Sequence, residues 1–191
     1  MLARLYAATK KSDELIAYSY SKLYKIPMTG MRFFTVYGPA GRPDMAYYTF
    51  AERLIEGKTI DLYNGGSNIR DFTYIDDAAN FVARIINCIP GEDDLGVMHE
   101  VVNIGNNHPI CVRKFVKILC DNLKKVNMID KDVNIMERIR LVDAQPGDVD
   151  ITYADIEEVE RKTGYNISTS IEDGLLRFCE WYKEYLLLDK Q

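Results

Sequence analysis

The sequence has no apolar run of membrane-spanning length and no excess of basic residues. Its 24 Lys and Arg residues are outnumbered by 29 Asp and Glu residues, which gives a formal net charge of −5. Nucleic acids and anionic membranes attract proteins through a basic field, so this charge balance disfavours both as partners. A small anionic ligand is still compatible with the composition, because a few local arginines are enough to bind it.

Histidine and cysteine are scarce, with two of the former and four of the latter. No two cysteines have the Cys-x2-Cys spacing of a zinc site, so we predict no metal centre. We interpret the thiols as free, buried or half-buried side chains in a reducing compartment, and we expect a cytoplasmic protein. The residues concerned are Cys88, Cys111, Cys120, Cys179, His99 and His108.

The first residues lack the pattern of a secretory signal, because Arg4, Thr9 and Lys10 interrupt the first apolar stretch. They have instead the spacing of an amphipathic helix that is already under way at the first residue. We therefore expect the chain to start inside a larger architecture.

Alternating helix and strand patterns predict an α/β fold with mostly parallel strand pairing. The predicted helices cover 6–24, 45–56, 77–88, 111–125, a segment from Thr152 or Asp155 to Lys162, and 171–188. The predicted strands cover 28–34, 60–63, 70–75, 99–105 and 133–139, and 35–45 is predicted as a Gly/Pro-rich loop. Asn64-Gly65-Gly66 is typical of a tight hairpin turn between two strands. Asp76 and Asp77 are predicted to cap the helix that follows them.

Two Tyr-x3-Lys pairs occur near the N-terminus, Tyr6 with Lys10 and Tyr18 with Lys22. In a helix each pair lies on one face, one turn apart. The spacing alone carries no function, because chance produces such matches in a chain with 13 tyrosines. The first pair is followed, after one helix length, by a strand that ends in a Gly/Pro-rich loop, and active sites of parallel sheets gather at such strand ends. We interpret Tyr18 and Lys22 as helix surface.

Four further motifs follow in order: RFFTVYGP at 32–39, GRPDMA at 41–46, RDFTYIDD at 70–77 and QPGDV at 145–149. The ordered set resembles the extended short-chain dehydrogenase/reductase family, and within it the UDP-glucuronate 4-epimerases. The resemblance covers essentially all of this chain but only the later part of the family's length. It implies one epimerase/dehydratase-type unit over 1–191, the C-terminal part of a Rossmann-like parallel sheet plus a small α/β substrate-binding subdomain. Residues of about 40–75 and 105–191 would contribute mainly to that subdomain.

The resemblance implies that Tyr6 is the catalytic acid/base and Lys10 its partner, with NAD as cofactor and a UDP-sugar as substrate. A neighbouring ammonium lowers the pKa of a phenol, so Lys10 would favour the phenolate. Lys10 would also hold the nicotinamide ribose, and Phe33 and Val36 would lie beside the nicotinamide. The sugar C4 would pass through a transient 4-keto state and be reduced again on its other face.

Two residues are implied to bind the carboxylate of a uronic acid sugar, Thr35 and Arg42. A guanidinium binds a carboxylate in bidentate fashion, and a hydroxyl adds a third donor. The same resemblance therefore favours glucuronate over glucose as the sugar.

The diphosphate of the substrate is implied to contact Arg70, and Asp148 is assigned to the substrate site. Gln145 departs from many relatives, which carry at that position an arginine that contacts the diphosphate. We regard Arg138 or Arg140 as candidate replacements.

Alternatives to the epimerase stay open. A nucleotide-sugar 4,6-dehydratase uses an additional Asp-Glu pair upstream of the tyrosine, and a non-catalytic binding or dimerisation fragment needs no chemistry at all. In the family, the helix of Tyr6 and Lys10 packs against a second subunit, so we expect a homodimer. The sequence holds no G-x-x-G-x-x-G turn, and the family's catalytic Ser/Thr lies upstream of the tyrosine. We therefore expect the isolated chain to bind NAD poorly and to be inactive.

Overall fold

A computed structural model of the protein describes residues 5–145 and 147–188. Two residues named above, Arg4 and Pro146, lie outside the described residues. The helices are α1 (Leu5–Tyr24), α2 (Ala46–Ile55), α3 (Ile75–Ile85), α4 (Val112–Lys125), α5 (Glu157–Thr163) and α6 (Ile171–Leu188). The strands are β1 (Met28–Phe33), β2 (Thr35–Tyr37), β3 (Ile60–Tyr63), β4 (Ile69–Arg70), β5 (Phe72–Tyr74), β6 (His99–Ile104), β7 (Ile110–Cys111) and β8 (Ile139–Val142). None of the helices in these residues combines the length and apolarity that crossing a bilayer requires.

Parallel pairing dominates the strands. β1 runs parallel to β6, from Met28 opposite His99 to Phe33 opposite Ile104. β2 is parallel to β5, β3 is parallel to β8, and only the short pair of β4 and β7 is antiparallel. Parallel strands need long crossover connections, which here contain the helices. The predicted α/β fold with mostly parallel strands is confirmed.

The buried apolar side chains form two separate clusters. The larger one lies among α2, α4, α6 and β3, and its centre is aromatic: Phe72 and Phe115 stack with their ring centroids 4.1 Å apart. The smaller cluster joins β6 to α3 and α5 through Phe81, Ile104 and Val159. Residues of the segment 154–167 pack in this smaller cluster. The molecule therefore has one core beneath the β1–β6 pair and another around α4.

Helix α1 packs against β1 and β6 through a narrow polar face. Ser21 is buried and its hydroxyl donates a hydrogen bond to the Met98 carbonyl at 3.0 Å. Glu14 accepts two hydrogen bonds from Arg32 of β1, at 2.6 and 2.8 Å. The rest of the helix surface carries exposed apolar side chains, namely Leu5, Leu15, Ile16, Tyr20, Leu23 and Tyr24.

The second Tyr-x3-Lys pair is only partly a surface pair. Tyr18 is half-buried, and its hydroxyl donates to the Asp93 carboxylate at 2.8 Å. Its ring also meets the ring of His99 edge-on, with centroids 5.6 Å apart. Tyr18 therefore has a structural role, whereas Lys22 is exposed as predicted.

The predicted hairpin around Asn64-Gly65-Gly66 is wrong. β3 pairs with β8, while the strands after the turn pair with β7 and β2. Asn64, Gly65 and Gly66 all have positive φ, at 50°, 60° and 72°, and form a short 3-10 turn. Three successive left-handed residues send the chain away from β3 instead of folding it back in register.

Two predictions about strand boundaries also fail. Residues 35–37 form β2 rather than loop, because they pair with β5. The predicted strand 133–139 begins only at Ile139; Ile135–Arg138 form a 3-10 turn that Asn134 caps by accepting the Met136 amide at 3.1 Å.

Asp76 and Asp77 do not cap α3, which begins at Ile75 with no side-chain cap. Asp77 is buried and accepts a 2.5 Å hydrogen bond from the Tyr165 hydroxyl. Burial, together with this carboxylate, raises the pKa of Tyr165 to about 12. Asp77 therefore binds Tyr165, a residue that packs against the smaller cluster, instead of capping the helix.

Candidate active site

A cavity of about 290 Å³ gathers three of the predicted substrate residues, Thr35, Arg70 and Asp148. Its wall comes from β2 to β5, α2 and α4. The remaining lining residues are Ala46, Phe50, Asp61, Leu62, Tyr63, Asn68, Phe72, Val112 and Phe115. An aromatic and apolar wall with a few convergent polar groups suits a small organic ligand that carries charge at one end.

Arg70 is held in place on several sides. Its Nη2 donates to Asp148 Oδ1 at 2.9 Å, and its Nη1 donates to the carbonyls of Ile69 and Asp150 at 2.9 and 3.2 Å. The other oxygen of Asp148 accepts from Asn68 Nδ2 at 2.9 Å. Only 15% of the Arg70 side chain is exposed. Since a guanidinium has five N–H donors, Arg70 keeps two beyond those used in the described residues.

Asp71 separates β4 from β5 and is fully buried. Its carboxylate accepts three backbone N–H bonds, from Asn106 at 2.9 Å, Asn107 at 3.1 Å and Ala154 at 2.9 Å. Its own carbonyl accepts the N–H of Thr35 at 3.2 Å. This one residue therefore fixes the loop after β6 and the segment at 154 relative to Thr35 and the neighbouring arginine of the cavity.

The backbone at Gly105 lies close to Ala154 and to the Asp71 carboxylate. A Cβ at this position would collide with the Cβ of Ala154 and lie 3.2 Å from the Asp71 carboxylate. The glycine that ends β6 is therefore required by packing around Asp71.

Arg140, rather than Arg138, pairs with a residue of the cavity wall. Its Nε and Nη2 donate to the two carboxylate oxygens of Asp61, each at 2.7 Å, and Asp61 lines the cavity. This pairing lowers the pKa of Asp61. Arg138 instead donates to the carbonyl of Gly57.

Tyr6 and Lys10 lie together on α1 as predicted, in the wall of a separate groove of about 550 Å³. The Lys10 ammonium lies 5.8 Å from the centroid of the Tyr6 ring. It also donates to Asp13 at 3.0 Å, and this hydrogen bond raises the pKa of Lys10. The tyrosine is 72% exposed. The pair is therefore open to a ligand, with its cation held beside the phenol.

Residues of the segment 33–36 line three different concave surfaces. Phe33 lines the groove of Tyr6 and Lys10, and it also lines an apolar groove of about 660 Å³ together with Val36 and the exposed side of α3. Thr35, between them, lines the cavity of Arg70. The junction of β1 and β2 thus contributes to the groove of the predicted catalytic pair and to the predicted substrate cavity.

Arg42 does not line the cavity that the described residues define. Its side chain is 76% exposed and pairs with Asp44 in fork geometry, Nε to Oδ1 at 3.0 Å and Nη2 to Oδ2 at 2.9 Å. A Cβ on the preceding Gly41 would collide with the Tyr47 hydroxyl, so this glycine lets the loop run close over α2.

Two residues of the site were missed by sequence reasoning. Asn68 is buried between Asp148 and Asn64, and nothing in the pattern of residues 64–70 distinguishes it from an ordinary turn residue. Asp71 did carry a signal, because a charged residue stood inside a predicted strand next to Phe72. A charge at such a position is expected only where backbone donors satisfy it.

All four cysteines are free, with Cys120 and Cys179 buried and Cys88 and Cys111 half-buried, as predicted. Within the described ranges, no group of three or more His, Cys, Asp or Glu side chains is placed to hold a metal ion.

The parallel α/β fold is that of solved epimerases and dehydratases that act on nucleotide sugars. Residues 3–178 match the family described as GDP-mannose 4,6 dehydratase, and the chain belongs to that family. Protein CapI of Staphylococcus aureus is 41% identical over 192 residues, which cover 95% of this chain and 54% of that protein. UDP-glucuronate 4-epimerase 4 of Arabidopsis thaliana is 39% identical over an alignment of 201 residues with gaps, which covers 99% of this chain and 43% of the Arabidopsis protein. The chain thus spans about half the length of the curated relatives it matches.

Solved structures give the same picture. The UDP-glucuronic acid 4-epimerase of Bacillus cereus, in complex with UDP-glucuronic acid and NAD, superposes with a TM-score of 0.77 at 28% identity. That match covers 94% of this chain and 52% of the other. DesIV, a dTDP-glucose 4,6-dehydratase of Streptomyces venezuelae with NAD and TYD bound, gives a TM-score of 0.78 at 27% identity over 94% of this chain and 51% of that one. NAD is thus bound in structural neighbours of both activities.

Proposed function

We propose that the chain is the substrate-side part of an NAD-dependent nucleotide-sugar 4-epimerase of the UDP-glucuronate to UDP-galacturonate type. The observation that carries the proposal is the segment 33–36, in which Phe33 lines the groove of Tyr6 and Lys10 and Thr35 lines the cavity of Arg70. A sugar that bridges the two would have its reacting carbon at the phenol and its diphosphate at the guanidinium.

Tyr6 would take a proton from the sugar 4-hydroxyl and return it later. The hydrogen bond from Lys10 to Asp13 raises the pKa of the ammonium, so Lys10 stays cationic at neutral pH. Lys10 would supply a positive charge beside the phenol ring while the proton moves, since its ammonium lies 5.8 Å from the ring centroid. Exposure of the Tyr6 ring leaves its hydroxyl accessible to a bound sugar.

The residues present fit the nicotinamide end of NAD. Tyr6, Lys10, Phe33 and Val36 surround one exposed edge, and the aromatic ring of Phe33 faces two grooves. When bound, NAD would accept a hydride from the sugar C4 and return it to the opposite face. The sequence has no glycine-rich turn for the pyrophosphate, so we propose that the isolated chain binds NAD poorly and shows little or no turnover.

The substrate diphosphate would meet Arg70, whose spare donors suit phosphate oxygens. Asp148 is better described as a positioning residue than as a substrate contact. Both of its oxygens already accept hydrogen bonds, from Arg70 and from Asn68, and its negative charge would repel a diphosphate. The aromatic wall of Phe50 and Phe72 would surround the flat base.

The sugar carboxylate would be held by Thr35 and Arg42. Thr35 lines the cavity next to the catalytic groove, and Arg42 shows in its pair with Asp44 that its guanidinium is able to bind a carboxylate through two parallel hydrogen bonds. For this role Arg42 must turn from Asp44 toward the sugar.

Three further features of the protein remain proposals. Residues of about 40–75 and 105–191 would form mainly the substrate-binding subdomain, which the larger apolar cluster supports, although the segment 154–167 packs with the other one. A homodimer would form through α1, whose exposed apolar side chains support such an interface. The cytoplasm is the proposed location, supported by four free thiols.

A 4,6-dehydratase is the second candidate, because the DesIV fold is as similar as that of the epimerase. Product identity discriminates them. Joining the chain to the N-terminal half of a relative and supplying NAD should convert UDP-glucuronate to UDP-galacturonate. A 4,6-dehydratase would instead act on a nucleotide sugar with a 6-hydroxyl, such as UDP-glucose, and would release water and leave a 4-keto-6-deoxy sugar. Tyr6→Phe should abolish either reaction, and Arg42→Ala should impair glucuronate but not glucose turnover. Unchanged glucuronate turnover in Arg42→Ala would contradict the carboxylate assignment.

A further inference from the structure

We propose that Asp44 sets how strongly the site prefers a uronic acid over a neutral sugar, by holding Arg42 in a closed pair. The inference rests on the proposed function, in which Arg42 is the carboxylate-binding residue. Asp44 is then a specificity-determining residue that contacts no substrate.

The pair copies the complex that a substrate carboxylate would form. Both outer donors of Arg42, Nε and Nη2, reach separate oxygens of Asp44, at 3.0 and 2.9 Å. This parallel arrangement is the geometry in which a guanidinium recognises a free carboxylate. A substrate carboxylate therefore cannot use the same two donors until Asp44 has released them.

Release costs little, because the pair is exposed. The Arg42 and Asp44 side chains are 76% and 69% exposed, so water stabilises both charges once they separate. Exposed ion pairs contribute little, and their loss changes an equilibrium constant by about fivefold at most. The competition is therefore strong enough to shift an affinity several-fold and too weak to block the site.

The short backbone segment between Arg42 and Asp44 keeps the Asp44 carboxylate close to the guanidinium. Pro43 stands between them and restricts the backbone of Arg42 to extended conformations. The Arg42 carbonyl accepts the N–H of Met45 at 3.1 Å, and the next residue, Ala46, lines the cavity. The Arg42–Asp44 pair thus lies at the start of the helix that walls the cavity.

A neutral sugar and a uronate would meet the pair differently. A neutral sugar leaves it closed, so no charge loses its partner on binding. A uronate that binds the Nε–Nη2 side of the guanidinium must open it, and the freed Asp44 carboxylate then repels the incoming anion. Asp44 therefore weakens the binding of a uronate but not of a neutral sugar. It thereby narrows the difference in affinity between these two kinds of substrate.

The test compares the affinities of the chain for UDP-glucuronate, UDP-glucose and UDP by calorimetry. Asp44→Asn should bind UDP-glucuronate about two- to fivefold more tightly than the unchanged chain, and UDP-glucose and UDP equally well. In an Arg42→Ala background, Asp44→Asn should increase the affinity for UDP-glucuronate less than it does with Arg42 present, because it removes only the repulsion by a free carboxylate and releases no guanidinium. The matched control is Glu158→Gln, which also removes one carboxylate from an exposed bidentate pair, with Arg161 on α5.

The possible results distinguish a failure of the Asp44 inference from a failure of the proposed function. If UDP binds and the ratio of the two sugar-nucleotide affinities is the same with and without Asp44→Asn, Asp44 does not set specificity. An equal gain in Glu158→Gln would show a general charge effect and would also overturn the proposal. If UDP itself does not bind, the nucleotide-sugar function fails, and this inference with it. Unchanged UDP affinity in every variant shows that the substitutions leave the cavity intact.

Discussion

Arg70 and Asp148 form an ion pair that is largely withdrawn from water, with 15% and 32% of their side chains exposed. Desolvation of two charges is costly, and the pair is maintained because further hydrogen bonds satisfy both partners. Removing one partner leaves the other charge poorly solvated, which costs more than the pair itself contributes. This asymmetry distinguishes Arg70 from the exposed arginines of the same region.

Arg70→Met should lower the affinity of the chain for UDP at least tenfold and reduce the free energy of unfolding by about 3 kcal/mol, since Asp148 loses its countercharge. Calorimetric titration and urea unfolding measure the two effects. Arg70→Met combined with Asp148→Asn should regain stability but not UDP affinity. Recovery of binding in the double variant would show that Arg70 acts only through the fold.

At the scale of elements, α1 is attached to the sheet by a clamp between Glu14 and Arg32 of β1. Hydrogen bonds from Arg32, and then from Lys11, lower the pKa of Glu14 from 4.5 to about 2. A carboxyl whose pKa is lower in the folded than in the unfolded chain stabilises the fold above the unfolded value. That stabilisation is complete above about pH 4.5 and disappears as the pH falls toward 2.

Glu14→Gln should therefore melt at a lower temperature than the unchanged chain at pH 6, and the two melting temperatures should converge between pH 4.5 and 2. Circular dichroism at a series of pH values measures this. Glu180→Gln, on the exposed side of α6, serves as the control and should match the unchanged chain throughout. A constant gap down to pH 2 would contradict the lowered pKa.

The elements also show how far sequence reasoning reaches. The five longer helices were predicted to within three residues of their ends, because apolar spacing over ten or more residues is a strong signal. The seven-residue α5 begins later than either of the two predicted starts, Thr152 and Asp155. The short strands β2, β4 and β7 were missed or merged, since two or three residues carry no periodicity and their pairing is decided by distant segments. The same holds for the site: motifs identified Arg70 and Tyr6, but the hydrogen bonds of Asn68 and the pairing of Arg42 with Asp44 depend on tertiary contacts.

At the scale of the whole molecule, β1 pairs on one side only within the described residues. A groove lies on each face of this edge, and Phe33 belongs to both. The groove toward α3 is almost wholly apolar, with Ala79, Val82, Ala83 and Ile86 in its wall. An unpaired strand edge flanked by apolar surfaces is prone to association.

We expect the chain to self-associate at micromolar concentration, and Ile86→Lys to shift it toward the monomer, because a charge in the apolar groove must stay hydrated. Sedimentation velocity measures the distribution. Ile89→Lys provides a close control, since Ile89 is equally exposed, 75% against 74%, but lies outside that groove. If both variants associate like the unchanged chain, the groove is not the contact surface.

The buried carboxylate of Asp71 has a kinetic consequence. Three amide protons from two distant loops, those of Asn106, Asn107 and Ala154, end on the same two oxygens. Because the carboxylate that they share is buried, the three hydrogen bonds should open together, and the three amides should show the same protection against deuterium exchange once each rate is corrected for its intrinsic value. Three different protection factors would show that the loops open independently. A common protection factor would identify the loop after β6 and the segment at 154 as one cooperative unit, although Ala154 follows Asn107 by 47 positions in the sequence.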